Sequence, residues 1–356
     1  MNAKLPQLEK VFPQISFKKN EPLKIYTTLR IGGPADVFCI IETARQLTNL
    51  VKEARNLEIP ITFIGSGSNI LVSDEGIRGL VIKINTKKLN IGNTKLKVNK
   101  NPPENNRNLK FRWNSDKTKG RFIGIEFKDL NYDESDSERI CVELDSGISL
   151  PWAIGFLIEK GITGLQWFAG IPGTIGGAVY NNVHGGSRFL GEFIDEVTLL
   201  GCDNNVKNLT FKDLGMDYDR SVFHNSKDLI IKTKLNLFLG DKKRAEFTAS
   251  EWKKRKKMQP RNSPGCVFKN ITNEEKENLG YPTTSTGYIV EHILKMRGYK
   301  IGDAKVSEMH CNFIVNNGNA TAKEYKRLIE LIQNEAKNKI GINLTPEIIF
   351  LGFDNT

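Results

Sequence analysis

Cys266 stands in the run Asn262-Ser263-Pro264-Gly265-Cys266-Val267-Phe268-Lys269-Asn270. A Pro-Gly turn there would deliver a thiol into a short strand, with two polar side chains close behind. A thiol so placed can donate a proton or act as a nucleophile, and Lys269 and Asn270 can anchor a polar ligand. The same spacing describes a buried cysteine acting as a small hydrophobe, the commoner fate of a free thiol. Tyr218-Asp219-Arg220-Ser221 brings an arginine that could stabilise an anion, although a surface Asp-Arg-Ser turn has the same letters. Glu347 falls in a predicted strand over 347–351, either as a catalytic carboxylate or as a strand end facing solvent. His310, in Ser307-Glu308-Met309-His310-Cys311-Asn312, reads as a hydrogen-bonded structural residue.

Two glycine-rich loops are the other source of chemistry. Gly164 to Gly177 reads GLQWFAGIPGTIGG, five glycines in fourteen residues with Trp167, Phe168 and Pro172 among them. Glycine at that density is retained where backbone turns sharply or approaches something closely. An ordered wall of exposed amides suits a flat ligand carrying phosphates; tight turns between buried strands are the competing account. The second loop, Gly65-Ser66-Gly67-Ser68-Asn69, lies between the strand-like segments 61–64 and 70–72. A Rossmann fingerprint needs a helix after its loop and a triphosphate loop needs GxxxxGK, so neither applies. The pair points instead to a dinucleotide seated between two lobes. Its expected contacts are Gly65, Ser66, Gly67, Ser68 and Asn69 on one side and Gly170, Ile171, Pro172, Gly173, Thr174 and Gly177 on the other.

The elements that must position these residues follow from periodicity and composition. Strands are predicted over 35–41, 61–64, 70–72, 81–84 and 140–144, and helical spacing over 43–57 sets Leu47, Leu50, Val51 and Ala54 on one face. A helix from Ser149 to Lys160 ends at Gly161; Thr321 and Glu324 have capping-box spacing before an amphipathic helix closed by Gly341. From about 86 to 139 the composition turns to Asn, Lys, Asp and Ser, as in NYDESDSER, which cannot bury much surface. That segment reads as an insertion, with 121–127 a possible exposed hairpin strand. The fold class is α+β.

At 356 residues the chain has room for two or three domains, and 39% hydrophobic with 26% charged residues describes an ordinary globular protein. Of the net charge of +11, a dense share lies in 242–261, with nine basic and two acidic residues. Without a helix-turn-helix, zinc or RNA-binding signature, this cluster reads as a solvated helix face or a basic rim for anionic small molecules, not a nucleic-acid surface. Five scattered cysteines with no CxxC pair and no Cys/His ligand spacing fit a reducing cytosol and no metal. The first residues lack the apolar core of a signal peptide, and no run approaches membrane-spanning length, so a cytoplasmic location is expected.

Taken in order, seven stretches resemble the UDP-N-acetylenolpyruvoylglucosamine reductase family, also called UDP-N-acetylmuramate dehydrogenase. They are Thr28–Ala35, Gly65–Leu71, Gly164–Gly177, Gly265–Asn270, Gly302–Ser307, His310–Asn316 and Leu344–Glu347. The resemblance implies two FAD-binding α/β lobes of the vanillyl-alcohol-oxidase type, about 1–85 and 86–240, and a substrate-binding α+β domain, about 241–356. It implies that NADPH reduces FAD and the flavin passes hydride to C3 of UDP-N-acetylglucosamine-enolpyruvate, giving UDP-N-acetylmuramate for the cell wall; a monomer is expected. By motif match, Arg220 and Glu347 would stabilise the enolate and Cys266 would protonate C2, with Lys269 and Asn270 contacting substrate. Another FAD-dependent oxidase or dehydrogenase sharing only the flavin lobes is the alternative reading, and the matches beyond those lobes speak for the reductase.

Three departures from the family pattern stand out. Cys266 occupies the place of the usual serine; a thiol of ordinary acidity, about 8.5, is mostly protonated at neutral pH and able to donate. Asp219 intervenes between Tyr218 and Arg220, where the family's arginine follows the tyrosine directly. Asn181-Asn182-Val183-His184-Gly185-Gly186 replaces a small-residue Asn-Ala-Gly turn.

Overall fold

Two compact units make up the protein: Met1–Cys39, Leu57–Ile82 and Met258–Thr356 form one, and Ile40–Asn56 with Lys83–Lys257 the other. The structure, a computed structural model, describes residues 4–96, 130 and 132–353. The hairpin strand expected at 121–127 lies outside the described residues.

The first unit joins three small sheets to one long helix. A four-stranded sheet orders Lys18–Pro22, Pro34–Ile41, Ile77–Ile84 and Ile61–Ile64. The loop 65–69 leaves the last of these and enters Ile70–Val72, which pairs in parallel with Ile349–Leu351. A three-stranded antiparallel sheet, Lys300–Ile301, Ala304–Val306 and Ile314–Asn316, packs against helix Ala322–Ile340. That helix begins at Thr321, whose hydroxyl accepts from Glu324 N–H while the Glu324 carboxylate accepts from Thr321 N–H, and it ends at Gly341 with φ +72°. Its Tyr325, Leu328, Ile329, Ile332 and Ala336 enter a core shared with Val267, Phe268, Ile289 and Leu344. Because these apolar positions recur at three and four, one face of the helix carries the burial.

An antiparallel sheet organises the second unit. Its order is Val206–Thr210, Ile194–Leu200, Leu229–Leu239, Arg139–Asp145 and Leu89–Leu96, with Ile162–Thr163 also paired to the central Leu229–Leu239. Helix Ala44–Asn56 buries Leu47, Leu50, Val51 and Ala54, the face read from periodicity. Helix Leu150–Glu159 starts at Ser149, whose hydroxyl accepts from Trp152 N–H, and Gly161 follows its end with φ +74°. The segment expected to be a polar insertion is partly structural. Leu89–Leu96 completes the sheet edge, and Tyr132 and Glu134 from the polar run are buried. Their burial is possible because each has partners, described below.

Candidate active site

In the first unit, segments far apart in sequence are clasped by hydrogen bonds to the residues that follow Cys266. Val267 N–H donates to the Asn312 carbonyl at 2.7 Å and Phe268 N–H to Asn312 Oδ1 at 3.0 Å. Asn312 Nδ2 donates back to the Phe268 carbonyl at 2.8 Å. An amide side chain offers an acceptor and a donor side by side, so buried Asn312 reads the backbone of one residue as a strand partner would. On the other flank, Glu347 N–H donates to the Val267 carbonyl at 2.7 Å, Lys269 N–H to the Thr345 carbonyl at 2.9 Å, and Phe268 bridges Pro346. Pro346, which has no N–H, sits opposite a residue whose own N–H and carbonyl are already engaged by Asn312.

The sequence expectation needs correcting at two points here. Residues 266–270 form an irregular clasped strip with one bridge rather than a strand, and Glu347 precedes the last strand, Ile349–Leu351, rather than lying in it. Asparagine and proline side chemistry replace the regular ladder. Cys266 and Glu347 are both half-buried, and the Glu347 backbone lies across from the residue next to Cys266. Beyond them, the Lys269 carbonyl accepts from Thr286 Oγ1 at 2.6 Å, and exposed Asn270 accepts from Thr286 N–H at 3.3 Å through Oδ1.

The loop 65–69 is tied to the same clasp. Asn69 Nδ2 donates to the Glu347 carbonyl at 3.2 Å, and Ile349 N–H donates to the Asn69 carbonyl at 3.0 Å. The Gly67 carbonyl accepts from Thr28 N–H at 3.0 Å. Gly67 has φ +65°, and a Cβ there would lie 2.0 Å from the Tyr26 carbonyl oxygen, so no other residue fits without moving backbone. His310 Nδ1 accepts from Asn312 N–H at 3.3 Å, the hydrogen-bonded role expected of it. Asn312, the centre of the clasp, stands out in the sequence only as a member of the polar run Ser307–Asn312 and of the matched stretch 310–316, with no role of its own. The neighbouring Cys311 thiol is pushed up to about 11, by burial first and then by the charge of Glu291, and burial alone pushes Cys39 up to about 12.

The second unit holds the glycine segment and Arg220. Trp167 and Phe168 are core residues in a short 3-10 turn, Gln166–Phe168, and are not exposed wall. Gly164 N–H donates to Gln166 Oε1 at 2.6 Å; Gln166 Nε2 donates to Glu134 Oε2 at 2.9 Å and to Tyr132 Oη at 3.0 Å. Thr163 Oγ1 donates to Glu134 Oε1 at 2.5 Å. The polar run that ends at Arg139 therefore anchors the glycine segment. Sequence reading missed this because a buried carboxylate is legible only together with its donors.

From Ile175 the segment becomes helix Ile175–Tyr180, with Thr174 Oγ1 accepting from Gly177 N–H at 3.2 Å. The N–H groups of Ile171, Ile175 and Gly176 donate to the carbonyls of Phe168, Ile148 and Ser146. Much of the expected amide wall is thus committed to the protein itself. Gly176 is required by packing, since its Cβ would meet Ser146 Cβ at 2.8 Å. Gly177 is not, since a Cβ there meets only Thr174 Oγ1 at 3.5 Å. Gly177 and Pro172 are exposed. Over Gly170 lies helix Lys242–Lys257, whose Lys256 Cβ would be 2.9 Å from an added Cβ, so the basic last turn of that helix borders the loop. Arg220 is exposed at the end of a turn that closes in both directions with Asp217, at 3.1 and 3.3 Å.

Among the described residues no group of three or more His, Cys, Asp or Glu side chains could hold a metal, and no helix is long and apolar enough to cross a membrane.

Residues 257–351 match the C-terminal domain of UDP-N-acetylenolpyruvoylglucosamine reductase. The chain is 32% identical to the protein of that name from Bacillus licheniformis, over 94% of this chain and 93% of the relative. It is 28% identical to that from Caldanaerobacter subterraneus, over 97% of each. The crystal structure of the reductase from Thermus caldophilus aligns with a TM-score of 0.66 at 25% identity, covering 95% of this chain and 98% of that one. Similarity therefore runs through both units and not through the flavin-lobe regions alone. With identity of this order over nearly its whole length, the chain belongs to the UDP-N-acetylenolpyruvoylglucosamine reductase family.

Proposed function

We propose that the chain reduces UDP-N-acetylglucosamine-enolpyruvate to UDP-N-acetylmuramate with NADPH, through bound FAD, in peptidoglycan precursor synthesis. The observation that carries this reading is the clasp that sets the Glu347 backbone one residue from Cys266. FAD, when bound, supplies the hydride acceptor for NADPH and the hydride donor for the enolpyruvyl C3. The residues assigned to hold it are 65–69 and 170–174 with Gly177. Gly177 supports the fit, because packing does not ask for glycine there and its exposed Cα, which carries no side chain, lets a ligand approach closely. In lobe terms, 1–85 and 86–240 serve the flavin and 241–356 the substrate.

Negative charge spreads onto the substrate carboxylate as hydride arrives at C3, and it must be met by groups already in place. Arg220 supplies a permanent cation, and Glu347 is the second group assigned to stabilise the enolate. The Cys266 thiol gives its proton to C2, and its thiolate is reprotonated from solvent before the next turnover. Lys269 and Asn270 orient the substrate, and the basic turn Lys253–Lys257 draws in phosphate-bearing molecules. The protein works as a monomer in the cytoplasm, with neither nucleic acid nor membrane as partner.

The test is NADPH oxidation by the purified yellow protein, with and without UDP-N-acetylglucosamine-enolpyruvate. Substrate-dependent turnover with formation of UDP-N-acetylmuramate is expected. Bound flavin that NADPH reduces but this substrate never reoxidises would sink the reading.

A further inference from the structure

Two of the three departures from the family pattern meet in space. His184, from the altered turn 181–186, has Nδ1 at 3.4 Å from Oδ1 of Asp219, the residue that separates Tyr218 from Arg220. The Tyr218 ring lies over the imidazole with centroids 4.9 Å apart, and Phe189 flanks it at 5.8 Å. Asp219 is buried and has φ +47°, in the left-handed region that disfavours side chains, whereas Arg220 beside it is exposed. The corner thus turns the carboxylate inward and leaves the arginine outward.

The rest of the turn is strapped to the segment that follows the glycine loop. Asn182 Nδ2 donates to the Asp217 carbonyl at 2.9 Å, Asn182 Oδ1 accepts from Gly191 N–H at 2.9 Å, and Ser221 Oγ donates to the Tyr180 carbonyl at 2.6 Å. A buried carboxylate on strained backbone is costly unless a partner holds it. The imidazole is such a partner, and both residues are absent from the family pattern at these positions. The two departures share one contact.

We propose that Asp219 and His184 form a positioning pair for Arg220: the inward carboxylate, held by the imidazole under the Tyr218 ring, fixes the corner and so aims the arginine. This rests on the assignment of Arg220 to the substrate anion made above. The pair acts through Arg220 and not on the reacting atoms. It therefore governs the half-reaction in which substrate reoxidises the flavin, not the one in which NADPH reduces it.

The chain has four histidines, so selective histidine labelling makes the pair visible by NMR. Asp219→Asn keeps the size and the tolerance of left-handed backbone while removing the charge. It should shift the His184 ring resonances, assigned with His184→Gln, and leave those of His292 and His310 in place. Unchanged His184 resonances would overturn the pair whatever the activity. In stopped flow, Asp219→Asn and His184→Gln should each slow substrate-driven reoxidation about tenfold, the double variant no more than either single, with NADPH reduction within about twofold of wild type. Multiplicative losses, or equal slowing of both half-reactions, would also overturn it. Failure of the wild-type protein to be reoxidised by the substrate sinks the reductase reading instead, and the spectra still judge the pair.

Discussion

The glycine segment of the second unit and the thiol clasp of the first carry opposite kinds of signal. The segment 164–177 is dense in one residue type, and its conformation is set largely from within: a capped helix start, a 3-10 turn and a buried Gln-Glu-Tyr network. The clasp is built from ordinary letters, one cysteine, one asparagine, one glutamate and one proline, gathered by main-chain hydrogen bonds between segments 44 residues apart and more. Density of glycine marks a demanding backbone, which can be a demand of packing as easily as of a ligand. Convergence of sparse polar residues marks a demand for placement, which packing alone rarely makes. The chemistry is therefore assigned to the clasp and the seating of the cofactor to the glycine positions that packing leaves unexplained.

The largest expected effect tests the clasp as a chemical site. Cys266→Ala should lower the rate of UDP-N-acetylmuramate formation by about 10²–10⁴-fold, the range of a lost general acid, while flavin reduction by NADPH continues. Cys266→Ser should retain substantial turnover, because a hydroxyl can hold the same proton. Normal product formation by Cys266→Ala, followed by chromatography, would take the proton-donor role away from the clasp.

The two thiols of the clasp should also separate by reactivity. Cys311, held up at about 11 by burial and Glu291, is roughly one part in ten thousand thiolate at pH 7, and Cys39 at about 12 less still. Iodoacetamide at pH 7 should therefore modify exposed Cys202 and half-buried Cys266 well before either of them. Raising the pH toward 11 brings Cys311 into reach, since its thiolate gains as pH approaches the raised value. Peptide mass spectrometry reads the order, and added UDP-N-acetylglucosamine-enolpyruvate should protect Cys266 but not Cys202.

Asn312 tests whether the clasp is placed by one side chain. Asn312→Ala removes the partner of both the N–H and the carbonyl of buried Phe268, which should cost about 2–4 kcal/mol of stability. Urea unfolding measures it, and turnover of the surviving folded protein should fall because the strip bearing Cys266 is no longer held from one side. Asn312→Asp keeps the acceptor for Phe268 N–H but sets a buried carboxylate oxygen against the Phe268 carbonyl, so its loss should be at least that of alanine. A stability unchanged in both would show that the strip is placed by Thr345–Glu347 alone.

What could be read from the chain follows the range of the interaction. Leu47, Leu50, Val51 and Ala54 lie within three turns of one helix, and Thr321 caps with a residue three positions on, so spacing alone revealed both. The strip 266–270 was expected as a strand because its letters are strand-like. Its true partners are an asparagine and a proline-containing segment that no local pattern announces. The polar run at 131–139 was expected to stay at the surface, yet Glu134 is buried because Thr163 and Gln166 donate to it. Residues that could act were visible as types; what gathers them was not, since main-chain bonds over long separations leave no trace in residue identity.

The smallest effects lie in adjacent glycines and bear on the opening contrast most directly. Gly176→Ala must push against Ser146, with its Cβ 2.8 Å and its carbonyl oxygen 3.1 Å from the new methyl, and should lower stability by about 1–3 kcal/mol with or without flavin. Gly177→Ala meets only the Thr174 hydroxyl at 3.5 Å and lies inside helix Ile175–Tyr180. Alanine there should leave the stability of the flavin-free protein unchanged or raise it by about 0.5–1 kcal/mol, the ordinary gain over glycine in a helix. If the exposed face at 177, free of a side chain, receives the cofactor, the same methyl should weaken flavin retention, seen as more free flavin after gel filtration. Packing and ligand demands then part at a single peptide bond. Equal flavin retention by Gly177→Ala and wild type would return the whole segment, Gly177 included, to the packing of the second unit.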